Sequence, residues 1–154
     1  AQTCAAGDPP RRCAGLHGGG TMLRLSAFRQ VGGYRELLGF GCEDTELAWR
    51  LIAAGFEIWE EPGYTILHDH TPIARDYGWE EWHYARNTVL MHALNRTWPA
   101  GFALGTLKGI RRAMISRCRW SAAAGLAAGI LGALLHSGSP KAIPSRAWPV
   151  INHE

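Results

Sequence analysis

The sequence predicts an α/β fold in which a few short strands with flanking helices are followed by a helical C-terminal extension. Three observations support this class. Short apolar runs bounded by glycine and proline occupy the first half of the chain, helical apolar patterns occupy the second half, and 47% of the 154 residues are hydrophobic. That content is sufficient for one compact core and too high for a generally disordered chain.

The N-terminal quarter is expected to contain one strand and one short helix. Residues 1–17 are small, polar or turn-forming, which predicts an irregular lead-in. The glycines at 18–20 precede the apolar run 21–25, which predicts a buried strand after a tight turn. Ser26 is expected to cap a short helix over 27–31, which a pair of glycines ends.

A surface loop over 34–42 is expected next, because the segment mixes glycine with aromatic residues and has no clear period. A helix then begins at Glu43, with acidic residues in its first turn, and Gly55 ends it. Two short strands over 56–58 and 64–67, joined by a Glu-Pro-Gly turn, complete this part.

The C-terminal half predicts three helices and a frayed tail. An amphipathic helix around Trp79 and Leu94 must end before Pro99, a basic amphipathic helix covers 104–119, and a small apolar helix covers 122–135. The last run is shorter than the ~20 residues of a membrane-spanning helix. The resulting divisions are an acceptor-side part of a catalytic domain at 1–76, a helical extension at 77–136 and a flexible, proline-containing tail at 137–154.

The charge and cysteine content exclude several classes of function. The net charge of +3 comes from 16 basic and 13 acidic residues, and the basic surplus forms only a late local patch, so we expect no nucleic-acid binding. The four cysteines show irregular spacing without a Cys-x-x-Cys pair, which favours a reducing, cytoplasmic location. The chain begins with Ala1 instead of methionine, so we expect a piece of a longer protein.

One constellation of motifs carries the functional prediction. The glycines at 18–20, a Val-Gly-Gly-Tyr turn at 31–34, the Glu43-Asp44 pair with Arg50 downstream, and the late His68 occur in this order. Together they resemble the second half of the inverting family 2 glycosyltransferases, including the galactosyltransferase-type C-terminal segment. The resemblance continues more loosely through an Arg-Asn pair at 86–87. It implies the distal portion of a GT-A-type sheet.

Asp44 is the residue that the resemblance identifies as the catalytic base. Transfer of a sugar with inversion requires removal of the acceptor hydroxyl proton, and a carboxylate within hydrogen-bond reach can accept it. Glu43 would bind the acceptor. The residues alone leave an alternative open, because two acidic side chains at a helix N-terminus also serve as helix caps.

The remaining site predictions are less specific. Gly19, Gly20 and Trp49 are candidates for acceptor binding, and Arg50 for diphosphate binding. The resemblance implies a divalent cation, Mn or Mg, in the complete enzyme, with His68 as its ligand and His70 as a weaker substitute. The alternatives are strain relief by the glycines, a surface ion pair of the arginine, and a loop position of the histidines.

The predicted function is transfer of a sugar from a nucleotide-sugar donor to a glycan or lipid-linked acceptor. No Asp-x-Asp motif for the donor diphosphate occurs in the chain, so the nucleotide-binding half is absent and we expect the isolated chain to be inactive or nearly so. One alternative is a membrane-surface or partner-binding helical module over 108–135, which would place the protein at the inner face of the membrane. A small metal hydrolase built on the two histidines is a third.

Overall fold

A computed structural model describes residues 8–64, 66–67, 73, 75–136, 143–144 and 147–151. Within them the chain forms two short strands, a 3-10 turn at Gly18–Gly20 and six helices. The strands are β1 (Arg11–Cys13) and β2 (Ile58–Glu60), and the helices are α1 (Leu25–Gln30), α2 (Glu43–Ala53), α3 (Tyr77–Asn95), α4 (Ala100–Ile115), α5 (Arg119–Leu135) and α6 (Trp148–Ile151). The predicted α/β class with a helical extension is confirmed.

The two strands form a small antiparallel sheet. Arg11 lies opposite Glu60 and Cys13 opposite Ile58, and the Arg11 guanidinium donates to the Glu60 carboxylate at 2.7 Å. A strand at 58 was expected, but its partner lies in the lead-in that the sequence predicts to be irregular. That part of the prediction is wrong, because three residues with an ionic cross-strand pair carry no apolar alternation.

Two other predicted strands are not found. The run 21–25 is extended only as far as Arg24, α1 begins at Leu25, and no strand in the described part of the chain pairs with this segment. Its apolar side chains are therefore exposed, with 92% of Met22 accessible. Likewise, the described residues of 64–67 form no strand; Thr65 lies outside them. An apolar run becomes a strand only where a partner supplies its hydrogen bonds.

The helices agree more closely with the sequence. Arg24, not Ser26, is the N-cap of α1, and no side chain caps it; the glycine pair that ends this helix is confirmed by its positive φ angles of 84° and 68°. The helix α2 starts at Glu43 as expected and ends before Gly55, whose φ is 91°. Asp76 caps α3 by accepting from the Trp79 amide at 2.9 Å.

The long helix α3 is the centre of the extension, and α4 and α5 pack on it through glycines. Gly105 of α4 lies so close that an added Cβ would be 2.8 Å from the Val89 carbonyl oxygen, and at Gly129 of α5 it would be 2.6 Å from that of Arg86. Contacts of this kind bring the helix backbones together and exclude larger residues. The stripe of small residues therefore sets the packing of all three helices.

Three buried clusters join these elements. Leu38 packs with Leu90 and other residues of α3, the apolar face of α2 packs on α1, and Trp49 packs with Met91 and the C-terminal segment. The C-terminal residues of the last cluster are Ile143, Ala147 and Ile151. The expectation of a tail without core contacts is thus wrong for these positions, because isolated apolar residues between prolines form no visible pattern.

The division into domains at residue 76 stays a prediction. In the structure the two sides of that boundary share one buried cluster, since Leu38 lies on one side and Leu90 on the other.

Replacement of Gly125 by alanine should destabilise the fold. A methyl group there would overlap the carbonyl oxygen of Trp82, and overpacking of this kind costs about 1–3 kcal/mol. The matched control is Gly132→Ala in the same helix, where the new Cβ would lie 3.1 Å from the mobile end of Leu90. Urea unfolding should show a large loss for the first variant only; equal stabilities would contradict the packing described.

Stability should also fall as the pH is lowered, because of His92. The residue is 1% exposed, and burial, with smaller effects of Lys108 and Arg96, lowers its pKa to about 3. The unfolded chain binds this proton near pH 6.5 and the folded chain does not. The free energy of unfolding should therefore decrease below pH 6.5, with a slope of up to about 1.4 kcal/mol per pH unit.

The measurement is urea unfolding of wild type, His92→Phe and the exposed-residue control His17→Asn between neutral and mildly acidic pH. His92→Phe should flatten the slope, and His17→Asn should not. An unchanged slope in His92→Phe would show that this imidazole is not the group responsible.

Candidate active site

The first turn of α2 brings Asp44 against the 3-10 turn at Gly18–Gly20. One carboxylate oxygen, Oδ2, accepts from the Gly18 amide at 2.9 Å. The other, Oδ1, accepts from the Tyr34 hydroxyl at 2.9 Å. The carboxylate is fixed in orientation, and each oxygen retains a second lone pair that can accept another hydrogen bond.

Gly18 has to be a glycine for this contact to exist. A Cβ at this position would lie 2.7 Å from Asp44 Oδ2 and 3.2 Å from Oδ1. Any side chain would therefore push the carboxylate away from the amide. The neighbouring Gly19 has open space around it, so the tight requirement applies to the first glycine of the run.

Tyr34 supplies the second hydrogen bond and remains a donor over the physiological range. Burial raises the pKa of Tyr34 to about 12, and the hydrogen bond to Asp44 contributes in the same direction. Its ring packs edge-on against Phe28 of α1, with centroids 5.6 Å apart. The protonated phenol thus stays fixed beside the carboxylate.

The position of Tyr34 depends on a buried ion-pair network centred on Glu46. This carboxylate is fully buried and accepts from Arg35 at 2.6 Å and from Arg50 at 2.8 Å. Arg50 also donates to the carbonyl oxygens of Val31 at 2.5 Å and Gly33 at 2.6 Å. The turn on both sides of Tyr34 is therefore tied to α2, the helix that carries Asp44.

A second set of hydrogen bonds holds the loop before α2. The Asn87 amide nitrogen contacts the carbonyl oxygens of Leu38, Phe40 and Gly41 at 2.6, 2.7 and 2.8 Å. Arg86 donates to the carbonyl of Leu37 at 2.9 Å and to the Asn87 side-chain oxygen at 2.7 Å. The loop needs this support because it contains two glycines with positive φ, at positions 39 and 41.

The predicted acceptor-binding residues lie in different surroundings. Glu43 precedes Asp44 in the same turn, and its buried Oε2 has no hydrogen-bond partner in the described part of the chain. Gly19 is exposed, whereas an added Cβ at Gly20 would lie 3.1 Å from Ile66. These three residues border the carboxylate of the candidate base.

Trp49 and Arg50 are placed away from an open pocket. Trp49 is 7% exposed and packs against His92 and Trp148, with ring centroids 5.2 Å apart in each case. It is a core residue, because five positions along α2 turn it to the side opposite Asp44. Arg50 has its donors engaged by Glu46 and two carbonyls, so we do not carry the diphosphate and acceptor roles of these two residues further.

The predicted metal ligand His68 lies outside the described residues, as does His70. Among the residues that are described, no group of three or more histidine, cysteine, aspartate or glutamate side chains is arranged to hold a metal ion. The residues present therefore do not form a cation site by themselves.

Sequence reasoning did not identify Tyr34 as a partner of Asp44 or Glu46 as the buried centre of the network. The spacing of Glu46 and Arg50, four residues apart on a helix, is a signal for an ion pair, but it does not reveal that the pair is buried. The hydrogen bond of Tyr34 depends on the turn geometry and has no local sequence pattern.

Comparison with known proteins gives a consistent direction for residues 2–71, which match the family model described as the N-terminal domain of galactosyltransferase. The chain is 46% identical over 56 residues to the pre-mycofactocin glycosyltransferase of Mycobacterium tuberculosis (strain H37Rv), which is 36% of this chain and 12% of that protein. It is 30% identical over 83 residues to the succinoglycan biosynthesis protein ExoA of Rhizobium meliloti, which is 54% of this chain and 25% of that protein.

These matches show a glycosyltransferase-like sequence with partial coverage. The matched segments span an eighth to a quarter of the two curated relatives. No solved structure matches the chain.

The ionisation of Tyr34 provides a test of the site geometry. In a sample with labelled tyrosine rings, the resonance absent from Tyr34→Phe should titrate near pH 12. In Asp44→Asn its pKa should decrease, because the negative charge and its hydrogen bond are lost, but stay above 10 because burial remains the largest cause. Circular dichroism at each pH controls for unfolding. A pKa that Asp44→Asn leaves unchanged would contradict the contact.

Proposed function

We propose that this chain is part of a glycosyltransferase that transfers a sugar from a nucleotide-sugar donor to a hydroxyl of a glycan or lipid-linked acceptor, with inversion and with Asp44 as the base. One observation carries the proposal. The Asp44 carboxylate is fixed by the Gly18 amide and the Tyr34 hydroxyl at 2.9 Å each, in the part of the chain that resembles glycosyltransferases.

In the proposed reaction the acceptor hydroxyl approaches Asp44 from the side left open by its two hydrogen bonds. A carboxylate oxygen takes the hydroxyl proton while the acceptor oxygen forms a bond to the anomeric carbon of the donor. The bond from that carbon to the diphosphate breaks, and the leaving group takes the electron pair. Tyr34 keeps its own proton and acts as a positioning residue.

Glu43 and the glycine turn are the proposed acceptor contacts. The buried, unpartnered oxygen of Glu43 can accept from a further acceptor hydroxyl once the site is filled. At Gly19 the exposed backbone allows a sugar to approach closely, because no side chain intervenes.

Exposed apolar side chains close to Asp44 support a larger catalytic domain around this site. Met22 and Leu67 are each 92% exposed, Tyr64 is 77% exposed and Ile66, beside Gly20, is 60% exposed. Several large apolar groups exposed together are a feature of surfaces that contact other polypeptide. The donor-binding residues would belong to that further part, consistent with the absence of Asp-x-Asp here.

The divalent cation expected from the resemblance would bind the donor diphosphate and stabilise the charge that develops on it. Its ligands would lie outside the described residues. For the same reason we propose that the chain on its own is inactive or nearly so.

Substitution of Asp44 tests the proposed base in the natural full-length protein. Asp44→Asn should decrease kcat by roughly 100- to 10,000-fold, because general-base catalysis contributes this amount, and should leave donor affinity nearly unchanged. Asp76→Asn is the matched control, since asparagine also caps a helix and Asp76 lies at the start of α3. Sugar transfer and donor binding are measured in parallel. Retained turnover in Asp44→Asn would remove this residue from the role.

Tyr34→Phe distinguishes positioning from catalysis. Loss of one hydrogen bond to a charged group corresponds to roughly a tenfold effect, so kcat should decrease about tenfold with little change in KM for the donor. A loss as large as that of Asp44→Asn would instead indicate that Tyr34 itself takes part in proton transfer.

A further inference from the structure

The charged residues of the chain are divided unevenly. Residues 1–96 contain nine basic and 12 acidic residues, whereas residues 97–154 contain seven basic residues and a single acidic one, Glu154. Neither α4 nor α5 contains an acidic residue. A net charge of one sign on adjacent elements attracts a surface of the opposite sign.

The outward faces of α4 and α5 are apolar as well as basic. Both helices turn their glycines towards α3, so their opposite faces point into solvent. On α4, Leu107, Met114 and Ile115 are 64%, 72% and 73% exposed. On α5, Trp120 is 90% and Leu135 is 74% exposed. Apart from Arg119, all the exposed residues of α5 are apolar.

Basic side chains lie among these apolar groups. Arg111, Arg117 and Arg119 are exposed, and none of them has an ion-pair partner within the described part of the chain. Arg112 is different, because it donates to Glu81 of α3 at 2.9 Å and so belongs to the packing between helices. The first three arginines are thus available to an external anionic surface.

We propose that the outer face of α4 and α5, together with the turn between them, is a docking surface for an anionic lipid membrane. Long basic side chains place their charge at the lipid headgroups while apolar side chains enter the boundary with the acyl chains. A tryptophan such as Trp120 is favoured at that depth. The geometry corresponds to helices lying in the plane of the interface.

Two observations favour lipid over a protein partner. The core of a protein interface is depleted of charged residues, whereas here arginines lie between the exposed apolar groups. All charges of the surface have one sign, as expected for a headgroup layer. Among the described residues, no helix combines the length and apolar content needed to cross a bilayer.

The inference does not depend on the proposed sugar transfer, and vesicle binding tests it without an activity assay. The chain is sedimented with vesicles of phosphatidylglycerol and phosphatidylcholine, and with phosphatidylcholine alone, at low and high salt. Binding should require the anionic lipid and weaken as salt increases. Each neutralised arginine should lower the partition coefficient roughly fivefold.

The test variant is Arg111→Gln/Arg119→Gln, which should lower binding about 25-fold. Its matched control is Arg24→Gln/Arg29→Gln, which removes two exposed arginines at α1 and should leave binding unchanged. Trp120→Ala tests the apolar contribution and should weaken the binding that remains at high salt. These substitutions are on the surface, and circular dichroism checks that each variant folds.

Three results would overturn the proposal. The first is absence of binding to the anionic vesicles. The second is an equal loss in both double-arginine variants, which would indicate attraction by net charge alone. The third is concentration-dependent self-association without vesicle binding, reduced in Trp120→Ala, which would assign the surface to a second copy of the chain.

Discussion

The buried carboxylate of Glu46 is the constraint on which the candidate site depends. It is fully inaccessible, and two arginines, Arg35 and Arg50, compensate its charge. A buried ion pair adds little net stability, but removal of one partner is costly, about 3–5 kcal/mol, because an uncompensated charge remains. The network therefore permits one arrangement of the turn at 31–34 against α2, and Tyr34 meets Asp44 as a result.

The helical extension takes part in the same arrangement. Asn87 and Arg86 on α3 bind the backbone of the loop that leads into α2, and Leu38 in that loop packs on Leu90. The glycines of α4 and α5 in turn hold α3 between them. The candidate base is thus supported from two directions, by an ion-pair network inside the N-terminal part and by a hydrogen-bonded clamp from the extension.

The sequence predicts the helices and the base better than the strands and the network. Helical periodicity, acidic first turns and terminal glycines are local signals, so α2, α3 and α5 start or end within a few residues of their expected positions. Strands depend on partners distant in sequence, and the strand expected at 21–25 has none here. The pairing of Asp44 with Gly18 and Tyr34 spans 26 and 10 residues, and no spacing rule relates such positions. The burial of Glu46 is equally invisible in the sequence, because glutamate and arginine four residues apart are usual on exposed helices.

The hydrogen-exchange rate of the Gly18 amide tests most directly whether the Glu46 network positions Asp44. Arg50→Lys keeps the positive charge but loses the guanidinium donors to Val31 and Gly33. If the network holds Tyr34 and Asp44 in place, the Gly18 amide should be protected in the wild-type chain and should exchange faster in Arg50→Lys, while the amide of the core residue Leu90 keeps its rate. Equal protection of Gly18 in both proteins would contradict the account.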